Sequence, residues 1–148
     1  MASKLEELYR DVIMDNAKNP KNKGLLKKPN YQFVHFKNPS CGDDINVEVL
    51  IEDGIVKDVR QDGTGCSISM SSASVMSDVL KGQPVSEALT IINEFYTLVK
   101  GEEITKEEEL GEAVAYAGVS LFPARIKCAT LAWKACEQAI NEHEKKED

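Results

Sequence analysis

INVEVLIEDGIVKDVRQ, residues 45–61, is the stretch whose reading decides the fold. Ile45, Val47, Val49 and Ile51 fall at every second position, the side-chain period of a strand with one buried face. Glu52-Asp53-Gly54 reads as a tight turn, and IVKDVRQ (55–61) as the antiparallel partner. Upstream, YQFVHF (31–36) is a third short strand. Three antiparallel strands with one polar face require helices on the other face.

The remainder of the chain supplies those helices. Ser3, with Glu6 three residues later, has the spacing of a capping box. Leu5, Leu8, Val12 and Ile13 follow at helical spacing, which predicts a first helix over 4–16. KNPKNKG, broken by Pro20 and Gly24, reads as a loop. After the loop GTGCS (63–67), ISMSSASVMSDVLKG forms a helix ending near Gly82. Ser86 can cap the next helix, whose stripe of Leu89, Ile92, Phe95, Tyr96 and Val99 stops at Gly101. The acidic segment to about Leu110 is expected to be an exposed connection. A short helix over 112–116 and a break at GVSLFP should follow it. Pro123 suits the first turn of a last helix over 124–143. The predicted fold is α+β, a small three-stranded antiparallel sheet packed by about five helices. It forms one domain over 1–148, with charged, frayed ends at about 1–3 and 143–148.

A chain of 148 residues can bury a core without a covalent staple. MASKLEELYR lacks the apolar centre of a signal peptide, and no later run is long enough to span a bilayer. The expected setting is cytoplasmic, with no membrane contact. The net charge of −7 argues against nucleic acid as a partner, because phosphates need a basic stripe. GEEITKEEELGE and NEHEKKED carry much of the acidity and read as solvated faces. A monomer is expected, since no long apolar stripe is left over.

In a reducing compartment four cysteines point to metal ligands, catalytic thiols or core fillers rather than disulfides. Cys136 falls in the last helix's stripe of Ile126, Ala129, Trp133 and Ile140, where a thiol packs as a small hydrophobe. Cys128 falls at the border of that stripe. Cys66 follows glycines and precedes helix formers, placing its thiol at a helix start, where unpaired amides favour a thiolate. GTGCS lacks the lysine of a nucleotide-binding loop. Cys41 lies in NPSCGDD (38–44), a turn sequence that adds the carboxylate of Asp43. Three thiols and one carboxylate suit tetrahedral zinc. No CxxC pair is present, so spacing alone leaves a metal site and scattered, unrelated cysteines as alternatives.

The segments YRDVIMDNAKNPKNKG, NPSCGDDI, GTGCSISMSSASVM and FPARIKCATLAWKA resemble the IscU/SufU family of iron–sulfur assembly proteins over nearly the whole chain. By that resemblance the metal ligands are Cys41, Asp43, Cys66 and Cys128. Lys127 stands where scaffold-type members carry a histidine, and no LPPVK-like chaperone motif is present. The segment KGEEITKEEELGEAVAYAGVS and the run from Arg125 to Cys128 resemble the SufU branch.

The resemblance implies a zinc-binding sulfurtransferase. It would accept persulfide sulfur on Cys41 from a pyridoxal-phosphate (PLP)-dependent, SufS-like cysteine desulfurase and pass it to downstream iron–sulfur assembly proteins. A zinc ion with four protein ligands has no open position, so docking is expected to exchange Cys41 for a partner side chain, a histidine by family analogy. Arg125, one helical turn before Cys128, would steer the anionic persulfide or pair with a partner carboxylate, its ordinary role being that of a solvated helix-start arginine. The alternative role is a scaffold carrying a transient [2Fe–2S] cluster on the same residues. A purely structural zinc is a third reading. His35 and His143 are expected to lie outside the site.

Overall fold

The 45–61 stretch folds back on itself as read. A computed structural model describes residues 4–39 and 42–147, with side chains over 6–39 and 42–146. In it β2 (Asp43–Glu52) and β3 (Ile55–Thr64) form a hairpin, and β1 (Gln32–Asn38) pairs on the other side of β2, all antiparallel. Asp53 and Gly54 both take positive φ, 53° and 73°, the backbone of a two-residue turn that matches strand twist. Ile45, Val47 and Val49 are fully buried, and Ile51 nearly so.

The helices are α1 (Lys4–Lys18), α2 (Ser67–Leu80), α3 (Val85–Val99), α4 (Glu107–Leu110), a 3-10 helix (Gly111–Leu121) and α5 (Pro123–Glu147). α5 lies across β1 and β2, with α2 beside it against β3. α3 joins this layer through Phe95, whose ring stacks on Trp133 with centroids 4.0 Å apart and meets Tyr116 edge-on at 6.0 Å. The α+β expectation holds. Ser3 of the expected capping box lies outside the described residues. Among the described residues no helix is long and apolar enough to cross a membrane.

Several local expectations are corrected. Ser86 does not cap α3. The helix starts at Val85 behind Pro84, and the Val85 amide donates to the Gly54 carbonyl of the hairpin turn at 2.9 Å. A tertiary contact thus replaces the cap. The short helix over 112–116 and the break after it are instead one continuous 3-10 helix. Leu110, Ala113, Tyr116 and Val119 are all buried at a spacing of three, which matches three residues per turn better than 3.6. The acidic connection is exposed as expected but ends in the buried Leu110. α5 begins one residue earlier than read and continues one turn further.

The KNPKNKG loop does more than connect. Residues 22–24 run beside β3, with the Gly24 amide donating to the Gln61 carbonyl at 2.9 Å. The chain then covers the polar face of the sheet. There the buried Glu48 carboxylate accepts the Leu26 and Lys27 amides at 2.7 and 2.9 Å. Arg60, opposite Glu48 on β3, donates to the Gly24 and Lys23 carbonyls. A carboxylate is tolerated in such a place only when hydrogen bonds replace its water.

Candidate metal centre

The register of the hairpin brings the first two donors together. Asp44 pairs with Thr64, so Asp43 at the start of β2 lies beside Gly65 at the exit of β3. GTGCS is therefore not a loop throughout: Gly63 and Thr64 belong to the strand, and only Gly65 and Cys66 link it to α2. Cys66 is the extended residue that precedes α2, with φ −73° and ψ 168°. Its amide donates to Asp43 Oδ1 at 3.0 Å, and the Ser69 hydroxyl donates to the same oxygen at 2.9 Å. Gly65 has to be glycine for space: a Cβ there would collide with Asp43 Oδ1 and stand 2.6 Å from Ser69 Oγ.

Cys128 arrives from α5. The Ser72 hydroxyl of α2 donates to the Ala129 carbonyl at 2.6 Å, and the Trp133 indole N–H donates to Ser72 Oγ at 2.9 Å. These bonds fix the register of the two helices next to the thiol. Cys128 is fully buried rather than at the border, because α5 is covered by both the sheet and α2. One ligand atom each from Asp43, Cys66 and Cys128 lies within 4.8 Å of the others. Zinc bonds of about 2.0–2.3 Å to oxygen and sulfur place tetrahedral donors roughly 3.5–4 Å apart, so the three need only close slightly.

The donors also fit zinc chemically. Burial pushes the Cys66 thiol up, but hydrogen bonds led by the Ser69 amide and including the neighbouring Cys128 thiol more than offset this, and the thiol titrates below its ordinary value. Asp43 is 2% exposed, and its Oδ2 is buried with no hydrogen-bond partner among the described residues. An unpaired buried carboxylate oxygen is costly, and a bound cation removes that cost. Zinc fits the residues present.

Cys41, expected from the sequence as the fourth ligand, lies outside the described residues. Arg125 is exposed, and its backbone amide bonds to the Phe122 carbonyl at 2.7 Å. It borders a groove of about 630 Å³ between α1, the start of α2 and the 3-10 helix, whose lining includes Tyr9, Met14, Ile68 and Phe122. Cys136 is fully buried in the core, and burial pushes its thiol up to about 12. Lys127 is exposed. His35 bonds to Asp44 at 2.6 Å and His143 pairs with Glu144, and neither belongs to the cluster. Sequence reasoning missed Gly65, Ser69 and Ser72. Only Ser69 had a signal, its place three residues after a helix-start cysteine, where a side chain returns to the first turn.

Residues 8–148 match the model of the NifU-like N terminal domain. The chain belongs to the NifU-like N-terminal domain family. Among relatives of this NifU-like chain, the zinc-dependent sulfurtransferase SufU of Bacillus subtilis is 46% identical, over 95% of this chain and 94% of that protein. The iron–sulfur cluster assembly scaffold protein IscU of Streptococcus pyogenes is 42% identical, over 93% and 86%. A putative iron–sulfur cluster assembly scaffold protein for the SUF system from Fervidobacterium islandicum has a similar structure. Its TM-score is 0.77 at 31% identity, over 91% of this chain and 98% of that one. The IscU/SufU resemblance read from the motifs is borne out.

Proposed function

We propose that this NifU-like chain is a zinc-dependent sulfur acceptor for iron–sulfur cluster assembly. It takes sulfur on Cys41 from a pyridoxal-phosphate-dependent, SufS-like cysteine desulfurase and passes it to downstream assembly proteins. The observation that carries the reading is the convergence of one ligand atom each from Asp43, Cys66 and Cys128, beside a buried Asp43 Oδ2 that has no hydrogen-bond partner among the described residues. The 46% identity to a zinc-dependent sulfurtransferase supports it.

Zinc, held by Cys41, Asp43, Cys66 and Cys128, supplies the positive charge that keeps the thiols deprotonated. The Cys41 thiolate attacks the terminal sulfur of the desulfurase persulfide. A new S–S bond forms on Cys41 while the donor's S–S bond breaks, and the donor cysteine departs as a thiolate. No net oxidation occurs and no further reagent is needed. Arg125 steers the anionic persulfide towards Cys41. The groove beside it receives the desulfurase: Ser67 in its lining follows Cys66, and Arg10, Arg125 and Glu6 place charged groups around an apolar floor.

Cys41→Ser with zinc retained tests the assignment. Incubated with desulfurase and cysteine, the wild type gains the mass of one sulfur atom and the variant gains none; equal gain by both would remove Cys41 from the role. The second reading, a scaffold carrying a [2Fe–2S] cluster as cargo, is favoured by the descriptions of the Streptococcus and Fervidobacterium relatives. Metal content and colour separate the two. One zinc per chain and no visible absorbance supports sulfur transfer, and a brown protein supports the scaffold.

A further inference from the structure

We infer that Ser69 is a positioning residue of the metal centre: its hydroxyl commits one oxygen of Asp43 to a hydrogen bond and reserves the other for the ion. The inference rests on the reading of Asp43, Cys66 and Cys128 as a zinc site.

Ser69 is 1% exposed, in the first turn of α2. Its Oγ lies 2.9 Å from Asp43 Oδ1, 3.0 Å from the Cys66 carbonyl and 3.6 Å from Cys66 Sγ. A hydroxyl has one proton, and a carboxylate is a stronger acceptor than a carbonyl, so the proton goes to Oδ1. The Cys66 amide donates to the same atom. Oδ1 therefore holds two donors while Oδ2 holds none among the described residues. A carboxylate anchored in this way is restricted to one rotamer and offers the ion a single oxygen. Without the hydroxyl, Oδ1 keeps only the Cys66 amide. The carboxylate can then rotate, and both thiols lose a fixed neighbour. Groups that orient metal ligands typically contribute 10–100-fold to affinity.

The test is zinc affinity by chelator competition on the full chain, for wild type, Ser69→Ala, Asp43→Ala and the double variant. Ser69→Ala should weaken zinc binding about 10–100-fold. In the Asp43→Ala background the same substitution should cost nothing further, because Ser69 acts through the carboxylate. A merely structural role would instead give additive losses. Cobalt-loaded Ser69→Ala should also show an altered visible ligand-field band, reporting a changed oxygen ligand. Ser69→Gly removes the same hydroxyl and serves in its place if the alanine variant does not fold. Affinity within threefold of wild type, or additive losses, overturns the inference and leaves the zinc site intact. A wild type that binds no zinc overturns the site reading and this inference with it.

Discussion

The Cys66 amide donates to Asp43 Oδ1 at 3.0 Å, so the carboxylate and the thiol beside it form one unit across the exit of the β2–β3 hairpin. Gly65 lies between them, and a methyl group there has no space. Gly65→Ala should push Asp43 off its two donors and weaken zinc binding at least tenfold. Chelator competition reads the loss, and circular dichroism should show the fold retained.

Removing zinc should lower stability without abolishing the fold, since the core between sheet, α2, α3 and α5 is built without metal. With free zinc at about a thousand times its Kd, the ion adds about 4 kcal/mol. Chelation should therefore reduce Tm by roughly ten degrees or more while helix content persists. Complete unfolding on chelation would support a structural zinc instead.

Phe122 is 61% exposed at the edge of the groove beside Arg125. Phe122→Asp should leave zinc content and Tm nearly unchanged. Desulfurase turnover in the presence of the variant should require at least tenfold more of it for half-maximal response. An unchanged response would move docking away from this groove.

Cys136 should behave as core. Cys136→Ser buries a hydroxyl where no thiolate is needed and should cost about 1–3 kcal/mol in thermal or denaturant unfolding. Zinc should remain at one per chain; a loss of zinc would assign Cys136 to the metal.

Stability should fall at both ends of the pH range around Tyr31 and Asp58. Burial and its hydrogen bond to Asp58 Oδ2, at 2.5 Å, push Tyr31 up to about 12. Its folded pKa is raised, so its contribution is complete below about pH 10 and is lost as pH rises through about 12. Burial pushes the Asp58 carboxyl up, but Tyr31 and Lys81 more than offset this and hold it below the ordinary carboxylate range. That contribution is present above about pH 4 and disappears as pH falls further. Tm measured against pH should show both losses, and Tyr31→Phe should flatten the alkaline one.

The sequence by itself determined the hairpin, because Ile45, Val47, Val49 and Ile51 with Asp-Gly after them leave one register and one turn. It determined the helical layer and the separation of Cys136 from the other thiols, since periodicity records which face is buried. Through segments that resemble a family it also pointed to Asp43, Cys66 and Cys128, which the fold brings together. The 3-10 helix was legible only to a search for a period of three.

The tertiary structure alone decided how Asp43 meets Cys66 and Cys128. That depends on the residue-by-residue register of β2 against β3 and of α2 against α5, set by contacts between segments far apart in the chain. Ser72 on the Ala129 carbonyl, Gly65 beside the Asp43 carboxylate and the Gly54 carbonyl on the Val85 amide are all of this kind. A local pattern carries the preferences of its own backbone and no record of which distant group will meet it.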